Sequence, residues 1–302
     1  MTLHSISDLE FSSGRSYDAA LVTCGYERRS SFLARSGLDA TNKIAIQHAG
    51  DPVLRFNENL ALLKHEGWSV QDEDTVIDAV GRIVTIGGST VAVDISSMPR
   101  RFLGRLVEIF AAASRPCTVD WFYAPAVFDE SALAASAIQP LIADPVSEFF
   151  LGDLRSPLSP VGLILGLGLE PHRAMGLVEF LEPGRVWSLM GESDEPRFAQ
   201  RALEINRELV DLPTTTLLLY PVRSIATTFS ALESLVFATR DSYRLVLAPS
   251  GPKVFGLACL LVGAMAAQPR PAVWRVGGFG DSTPMDVSEE GIVIGCRSEW
   301  SE

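Results

Sequence analysis

The sequence changes from an apolar run to a helical pattern at Val22-Thr23-Cys24-Gly25-Tyr26-Glu27-Arg28-Arg29. It does so again at Leu165-Gly166-Leu167-Gly168-Leu169-Glu170-Pro171-His172-Arg173. Both stretches place a glycine, a glutamate and an arginine, in that order, directly after a strand-like segment. Such a corner is typical of the turn from a strand to a helix, and its repetition indicates that one folding unit occurs twice.

Two further matches follow in the same order along the chain. Arg55-Phe56 matches Arg197-Phe198, and Ser97-Met98-Pro99-Arg100 matches Ser250-Gly251-Pro252-Lys253. Ordered matches of this kind are the sequence signature of an internal repeat. The sequence therefore predicts two copies of a unit of roughly 140 residues, which is an ordinary size for a domain.

Short apolar runs alternate with amphipathic stretches in both halves. In the first half, 18–23 and 90–95 are predicted strands, while 55–66 and 99–113 are predicted helices. Alternation of strands with helices of about ten residues or more favours parallel strand pairing. We therefore predict an α/β fold of two tandem Rossmann-like units with mainly parallel sheets, related by internal duplication.

The predicted domain boundaries follow the proline content of the chain. The first unit covers 1–128 and the second covers 161–280. The intervening residues 129–160 are rich in proline, which is typical of a connector with ordered turns. The tail 281–302 contains the apolar run 291–295, which is predicted to form an antiparallel edge strand.

The bulk composition excludes several classes of function. The chain has 302 residues and a formal net charge of −12, so broad binding to double-stranded DNA is not expected. The four cysteines are scattered without a CxxC pair, which is typical of reduced thiols in the cytosol. The N-terminus lacks a signal-peptide pattern, and the most apolar helical stretch, 254–267, is too short to cross a bilayer. We expect a cytoplasmic protein with no membrane partner.

The repeated corners are the candidate functional sites. Parallel α/β sheets bind ligands beyond the carboxyl ends of their strands, where helix N-termini attract anions. Pro99, Pro171 and Pro252 suit helix starts at these corners. Glu27 and Glu170 are interpreted as orienting the nearby arginines or as accepting from a ribose hydroxyl. The predicted ligand-binding residues are Glu27, Arg28, Arg29, Asp94, Ser96, Ser97, Arg100, Glu170, His172, Arg173, Ser250 and Lys253.

A structural interpretation of the same residues stands beside this one. Serine before proline is ordinary helix capping, Asp94 can cap the loop after its strand, and the arginines can pair with surface carboxylates. An NAD site is disfavoured because Pro171 replaces the third glycine of GxGxxG. The sequence has no GxSxG, HExxH or P-loop pattern, so no catalytic residue, metal ligand or cofactor is predicted.

The turn Ser250-Gly251-Pro252-Lys253 before an apolar helix, and less closely Ser97-Met98-Pro99-Arg100, resembles the ligand corner of CARF-type Rossmann-like sensor domains. These CRISPR-associated domains, related to the SAVED sensors of prokaryotic defence systems, bind cyclic or linear oligonucleotide messengers. The resemblance implies that the loops 25–29 and 168–173 also face the ligand. No nuclease motif accompanies the two units, so it implies a sensor or adaptor whose output lies in a partner protein.

Three functions stay open on the sequence, and the first is favoured. It is a binding module for a nucleotide or oligonucleotide second-messenger-like anion, acting as a sensor or adaptor in antiviral defence with an effector protein as partner. The second is a metal-independent nucleotide hydrolase or phosphodiesterase, in which Glu27, Asp94 and Glu170 act as acid or base. The third is a protein–protein scaffold.

Overall fold

A computed structural model describes residues 1–129, 141–153, 158–265, 268–278 and 284–301. The chain divides into two compact units. The first consists of Met1–Val127 together with Pro284–Glu302, and the second consists of Phe128–Thr283. Each unit contains a mainly parallel sheet whose strands alternate with helices, which confirms the predicted α/β class.

The first unit has a seven-stranded sheet. With numbers running along the whole chain, its strands are β1 (Thr2–Leu9), β2 (Ser16–Cys24), β3 (Asp39–Gln47), β4 (Ser69–Gln71), β5 (Ser89–Asp94), β6 (Cys117–Tyr123) and β13 (Ile294–Ser301). Its helices are α1 (Phe32–Arg35), α2 (Phe56–His65), α3 (Glu73–Val84) and α4 (Arg100–Ala112). The strand order is β1-β13-β6-β5-β2-β3-β4, and β13 runs antiparallel to both of its neighbours.

The second unit has a six-stranded sheet. Its strands are β7 (Leu141–Pro145), β8 (Val161–Gly166), β9 (Arg185–Glu192), β10 (Thr215–Pro221), β11 (Arg244–Ala248) and β12 (Ala272–Gly278). Its helices are α5 (Arg173–Leu181), α6 (Pro196–Ile205), α7 (Arg207–Val210), α8 (Ile225–Thr239) and α9 (Lys253–Met265). The order is β10-β9-β8-β11-β12-β7, with β7 antiparallel to β12.

The two sheets share one topology. When the parallel strands of each unit are counted from β2 and from β8, both sheets have the order 3-2-1-4-5. In both, an antiparallel strand follows at the side of the fifth strand, β13 in the first unit and β7 in the second. This common order is the doubly wound arrangement that the repeated corners predict.

The central strands and one helix are buried on all sides. Leu21 and Val22 in β2, and Ile164 and Leu165 in β8, are at most 1 % exposed. Parallel strands covered on both faces read as continuous apolar runs, which is why these segments show no alternation. Residues 254–263 of α9 are likewise all buried, which explains the uniformly apolar sequence of that helix.

Two expectations about the chain ends and the connector are corrected. The tail strand β13 is not an edge strand, because it is hydrogen-bonded to β1 on one side and to β6 on the other. The edge strand on this side of the sheet is β1, which the sequence pattern did not reveal. Residues 129–160 are more than a connector, because β7 within them pairs with β12. The rest of that stretch includes 130–140 and 154–157, which lie outside the described residues.

Two predicted helices also differ in their bounds. The helix expected from Pro171 begins at Arg173, because His172 has a left-handed backbone with φ of 60° and ends the preceding turn. The sequence pattern predicts one helix over 195–209, but the structure interrupts it at Asn206, which separates α6 from α7. None of the helices among the described residues combines the length and the apolar character needed to cross a membrane.

Candidate functional site

Both sheets have a point at which the strand order reverses. It lies between β2 and β5 in the first sheet and between β8 and β11 in the second. Ligands of doubly wound sheets bind beyond the carboxyl ends of the strands at this point. Two loops lie at this point in each unit. We name residues 25–31 and 95–99 the first-unit rim, and residues 167–172 and 249–252 the second-unit rim.

One buried amide shapes the first-unit rim. Asn59 of α2 is 5 % exposed. Its Nδ2 donates to the carbonyl oxygens of Gly25 at 2.9 Å and Glu27 at 2.8 Å. Its Oδ1 accepts from Ser31 Oγ at 2.8 Å. Both donors and the acceptor of the amide are engaged, so a single side chain fixes the course of the loop.

Glu27 and Arg29 form an ion pair inside this loop. Arg29 Nε lies 2.5 Å from Glu27 Oε2, and the two side chains are only 11 % and 17 % exposed. Burial lowers the pKa of Arg29, but the negative charge of Glu27, together with Tyr123 and Asp94, outweighs burial and raises the pKa above its usual value. Arg29 is therefore a permanent cation whose direction is set by Glu27.

A phenol lies beside this pair. Tyr123 ends β6 and is 7 % exposed. Burial raises the pKa of Tyr123, while Arg29, which forms a hydrogen bond with it, and Arg100 oppose the increase. Arg100 is the first residue of α4. The ends of β2 and β6 and the start of α4 thus bring two cations, a carboxylate and a phenol within electrostatic range of one another.

Asp94 and Ser96 form a buried turn after β5. Asp94 is 2 % exposed and Ser96 is fully buried. Asp94 Oδ1 accepts from the backbone N–H of Ser96 at 2.9 Å and from its Oγ at 2.5 Å. Ser96 Oγ in turn accepts from the backbone N–H of Ala124 at 2.8 Å. This arrangement joins the ends of β5 and β6 and leaves the half-buried Ser97 as the next residue outward.

An acidic stretch of the same unit, residues 286–290, lies against the first-unit rim, and we name it the terminal segment. Asp286 Oδ1 accepts from the backbone N–H of Arg28 at 2.7 Å, and its Oδ2 accepts from Arg55 Nε at 2.9 Å. The carbonyl oxygen of Val287 accepts a further backbone hydrogen bond from this loop at 3.1 Å. A carboxylate of the chain itself is therefore bound where the sequence predicts an incoming anion.

The second-unit rim repeats two of these features. Arg173 Nη1 donates to Glu170 Oε1 at 2.8 Å, and the side chains are 25 % and 38 % exposed. Asn206, which is 5 % exposed, donates through Nδ2 to the carbonyl oxygen of Gly168 at 2.9 Å. A carboxylate–arginine pair and a buried asparagine bonded to a corner glycine thus occur in both units. The pair in the second unit is the more exposed of the two.

The two loops of the second-unit rim touch through their backbones. Gly251 has φ of 75°, and a Cβ at this position would lie 2.5 Å from the carbonyl oxygen of Leu167. A Cβ on Gly168 would lie 3.3 Å from the nitrogen of Gly251. Only glycine permits both the backbone conformation and this approach. Ser250, 9 % exposed, precedes this contact, and Lys253 follows it as the first residue of α9.

The predicted residues fall into two groups, one in each unit. The first group comprises Glu27, Arg28, Arg29, Asp94, Ser96, Ser97 and Arg100, and the second comprises Glu170, His172, Arg173, Ser250 and Lys253. Their role as ligand contacts stays a prediction.

Four further residues, which lie next to the rims, are not among the predicted ones. Tyr123 is the last residue of β6, so the rule that ligands bind at strand ends could have found it. Asn59, Asn206 and Asp286 carry no local signal for this role, because the rim residues that they bind are distant in sequence. Within the described part of the chain, no group of three His, Cys, Asp or Glu side chains could hold a metal ion.

The chain matches no protein-family model and no curated protein. Among solved structures it is similar to a protein of Pseudomonas aeruginosa UCBPP-PA14 named a universal stress protein, with 10 % identity, a TM-score of 0.27, and coverage of 86 % of this chain and 92 % of that chain. It is also similar to a ketoreductase domain from the bacillaene assembly line, with 10 % identity, a TM-score of 0.22, and coverage of 89 % and 82 %. These scores carry no functional argument. The fold assignment rests on the strand order itself.

Proposed function

We propose that this protein binds a nucleotide-type anion at the carboxyl-end rim of its sheets. The observation that carries the proposal is the repetition of one constellation at both switch points. Each rim has a carboxylate–arginine pair, Glu27–Arg29 or Glu170–Arg173, next to a helix that begins with a cation. Guanidinium and ammonium groups at helix starts favour phosphate, and a carboxylate beside them suits a ribose hydroxyl.

The second-unit rim is the proposed binding site. At the first-unit rim, the backbone of Arg28 and the side chain of Arg55 already bind Asp286, which would compete with an incoming phosphate. At the second-unit rim, Arg173 is 25 % exposed, and the loop before it touches the loop that leads to Lys253 at Leu167 and Gly251. Among the described residues, the carboxylate that binds Arg173 is Glu170 of the same rim, and no carboxylate from a distant segment binds it there.

The proposed biological role follows the resemblance to CARF-type domains. We propose a sensor or adaptor for a nucleotide second messenger, with the output in a partner protein. The buried hydrogen bonds of Asp94 and Ser96 favour a structural part for these two residues and give an enzymatic mechanism no support. Binding without turnover is therefore the expected behaviour.

Thermal shift against a panel of mono-, di- and cyclic oligonucleotides tests the proposal. A ligand at about 100 times its Kd stabilises the folded state by roughly 2.7 kcal/mol, which raises Tm by several degrees. The double variant Arg173→Gln/Lys253→Gln should lose this shift while remaining folded. The matched control is Arg201→Gln, which removes an exposed arginine paired with Glu204 on α6.

The outcomes separate the three functions. A shift for one nucleotide class that the double variant loses and the control retains supports the binding site. Chromatography of the bound nucleotide after incubation tests turnover, and conversion to product would favour the enzyme. If no nucleotide in the panel raises the Tm of the folded protein, the binding proposal is contradicted and the protein–protein scaffold is the remaining function.

A further inference from the structure

A second cation-lined site lies in the second unit, away from the second-unit rim. A cleft of about 200 Å³ opens at the amino ends of its strands, beside the first residues of β11 and β12. Three arginines line it, namely Arg240, Arg244 and Arg270. Among the described residues of the lining, the carboxylates are those of Asp153 and Asp241, so the three arginines exceed them by one positive charge. That sign is opposite to the net charge of the whole chain.

Each arginine is fixed by a different contact. Arg244 begins β11, and its Nε donates to the carbonyl oxygen of Ser159 at 2.9 Å. The guanidinium of Arg240 lies 4.7 Å from the centre of the Phe237 ring. This stacking contact holds the guanidinium of Arg240 in one orientation at the wall of the cleft. These contacts reduce the number of side-chain rotamers that a ligand would have to immobilise.

Arg270 is fixed through its backbone as well. Its N–H donates to Asp153 Oδ2 at 2.8 Å, and its carbonyl oxygen accepts from the N–H of Asp153 at 3.0 Å. The guanidinium of Arg270 lies 5.7 Å from the centre of the Phe149 ring. The carboxylate of Asp153 is thus engaged by the backbone of Arg270, and this position of the cleft wall is set before any ligand arrives.

The size of the cleft defines the ligand class. Pockets for drug-sized ligands range from roughly 300 to 1,000 Å³, so a cleft of about 200 Å³ cannot enclose a dinucleotide or a cyclic oligonucleotide. It can hold a phosphate with a few attached atoms. Guanidinium groups match phosphate oxygens in geometry and charge, and bidentate pairs between them are among the strongest charge-assisted hydrogen bonds.

We propose that this arginine cleft binds the phosphoryl group of a small phosphorylated metabolite. The site is separate from the rim at which we propose nucleotide binding, and it does not depend on that proposal. The two sites lie at opposite ends of the parallel strands of the second sheet, so each can be removed by substitution without altering the other.

Isothermal titration with inorganic phosphate, at constant ionic strength in chloride, tests this site. We expect saturable phosphate binding in the wild-type protein, and we expect it to persist when the cations of the second-unit rim are removed. Arg270→Gln removes a guanidinium whose described contact is with a ring, and it should weaken phosphate binding by about tenfold or more. Arg244→Gln should have a similar effect, and circular dichroism checks that each variant is folded.

Two controls locate the bound phosphate. Arg201→Gln should retain the wild-type phosphate affinity. The rim variant Arg173→Gln/Lys253→Gln removes any phosphate bound at the rim, and the phosphate bound in the arginine cleft should remain. Absence of saturable phosphate binding to the folded wild-type protein would overturn the proposal. Wild-type affinity in the folded Arg270→Gln variant would also overturn it, as would loss of phosphate binding in the rim variant, because phosphate would then be bound at the rim.

Discussion

Replacing Asn59 by alanine should release the first-unit rim from α2. The substitution removes three hydrogen bonds, two to the carbonyl oxygens of Gly25 and Glu27 and one from Ser31 Oγ. A hydrogen bond contributes about 1 kcal/mol net, and buried partners left unsatisfied cost more. Because Asn59 is 5 % exposed, water cannot replace the amide freely. We expect a loss of about 3 to 4 kcal/mol in the free energy of unfolding.

Thermal and urea unfolding measure this loss. For a unit of about 150 residues, 3 kcal/mol lowers Tm by roughly 6 to 12 °C. The matched control is Asn57→Ala, which makes the same chemical change two residues away at an exposed position of α2. A surface substitution of this kind changes stability by about 0.5 kcal/mol or less.

The reasoning is refuted if Asn59→Ala and Asn57→Ala have the same stability.

Asn206→Ala provides the comparison in the second unit. Asn206 donates to the carbonyl oxygens of Gly168 at 2.9 Å and Ala202 at 2.7 Å, and no third hydrogen bond of its side chain is found among the described residues. We expect a smaller loss there, about 2 kcal/mol.

Two further predictions concern the second-unit rim and the buried thiols. Gly251→Ala should lower the free energy of unfolding by about 2 kcal/mol or more, because Gly251 has a positive φ and the added methyl group would meet the carbonyl oxygen of Leu167. Thermal unfolding measures this loss. An unchanged Tm would contradict the close approach of the two loops. Burial raises the pKa of Cys24 and Cys117 to about 11, above about 8.5 for an unfolded thiol. The protonated thiols make their full contribution to the free energy of unfolding below pH about 8.5. This contribution falls by roughly 1 to 3 kcal/mol per thiol as the pH rises towards 11. The Tm of the wild-type protein should therefore fall between pH about 8.5 and about 11, and the Tm of Cys24→Ala should fall less. If Tm falls equally with pH in the two proteins, ionisation of Cys24 is not the cause.

Much of the fold was predictable because local sequence patterns define it. The first and second units each alternate apolar strands with amphipathic helices, and a parallel sheet needs this alternation. The matched turns before Arg100 and Lys253 were predicted to open helices, and these two residues are the first of α4 and α9. A proline followed by a cation at a helix start is a local signal, so no tertiary information is needed to find it.

The chemistry of the rims was only partly predictable. The pairs Glu27–Arg29 and Glu170–Arg173 join residues two or three positions apart, so their proximity follows from the chain itself. The engagement of Arg28 by Asp286 does not, because their bond joins residues that are distant in sequence. The acidic residues near the end of the chain can be found in the sequence, but their pattern does not predict which loop they contact.

The sequence by itself determined the α/β class, the duplication and the corners at which cations gather, because these depend on periodicity and on residues close together in the chain. Tertiary structure alone decided that the tail returns to the first sheet as β13, that the terminal segment lies on the first-unit rim, and that Arg240, Arg244 and Arg270 line one cleft. Those arrangements depend on which distant surfaces bury each other. That choice is made by the packing of the whole chain, and local patterns do not encode it.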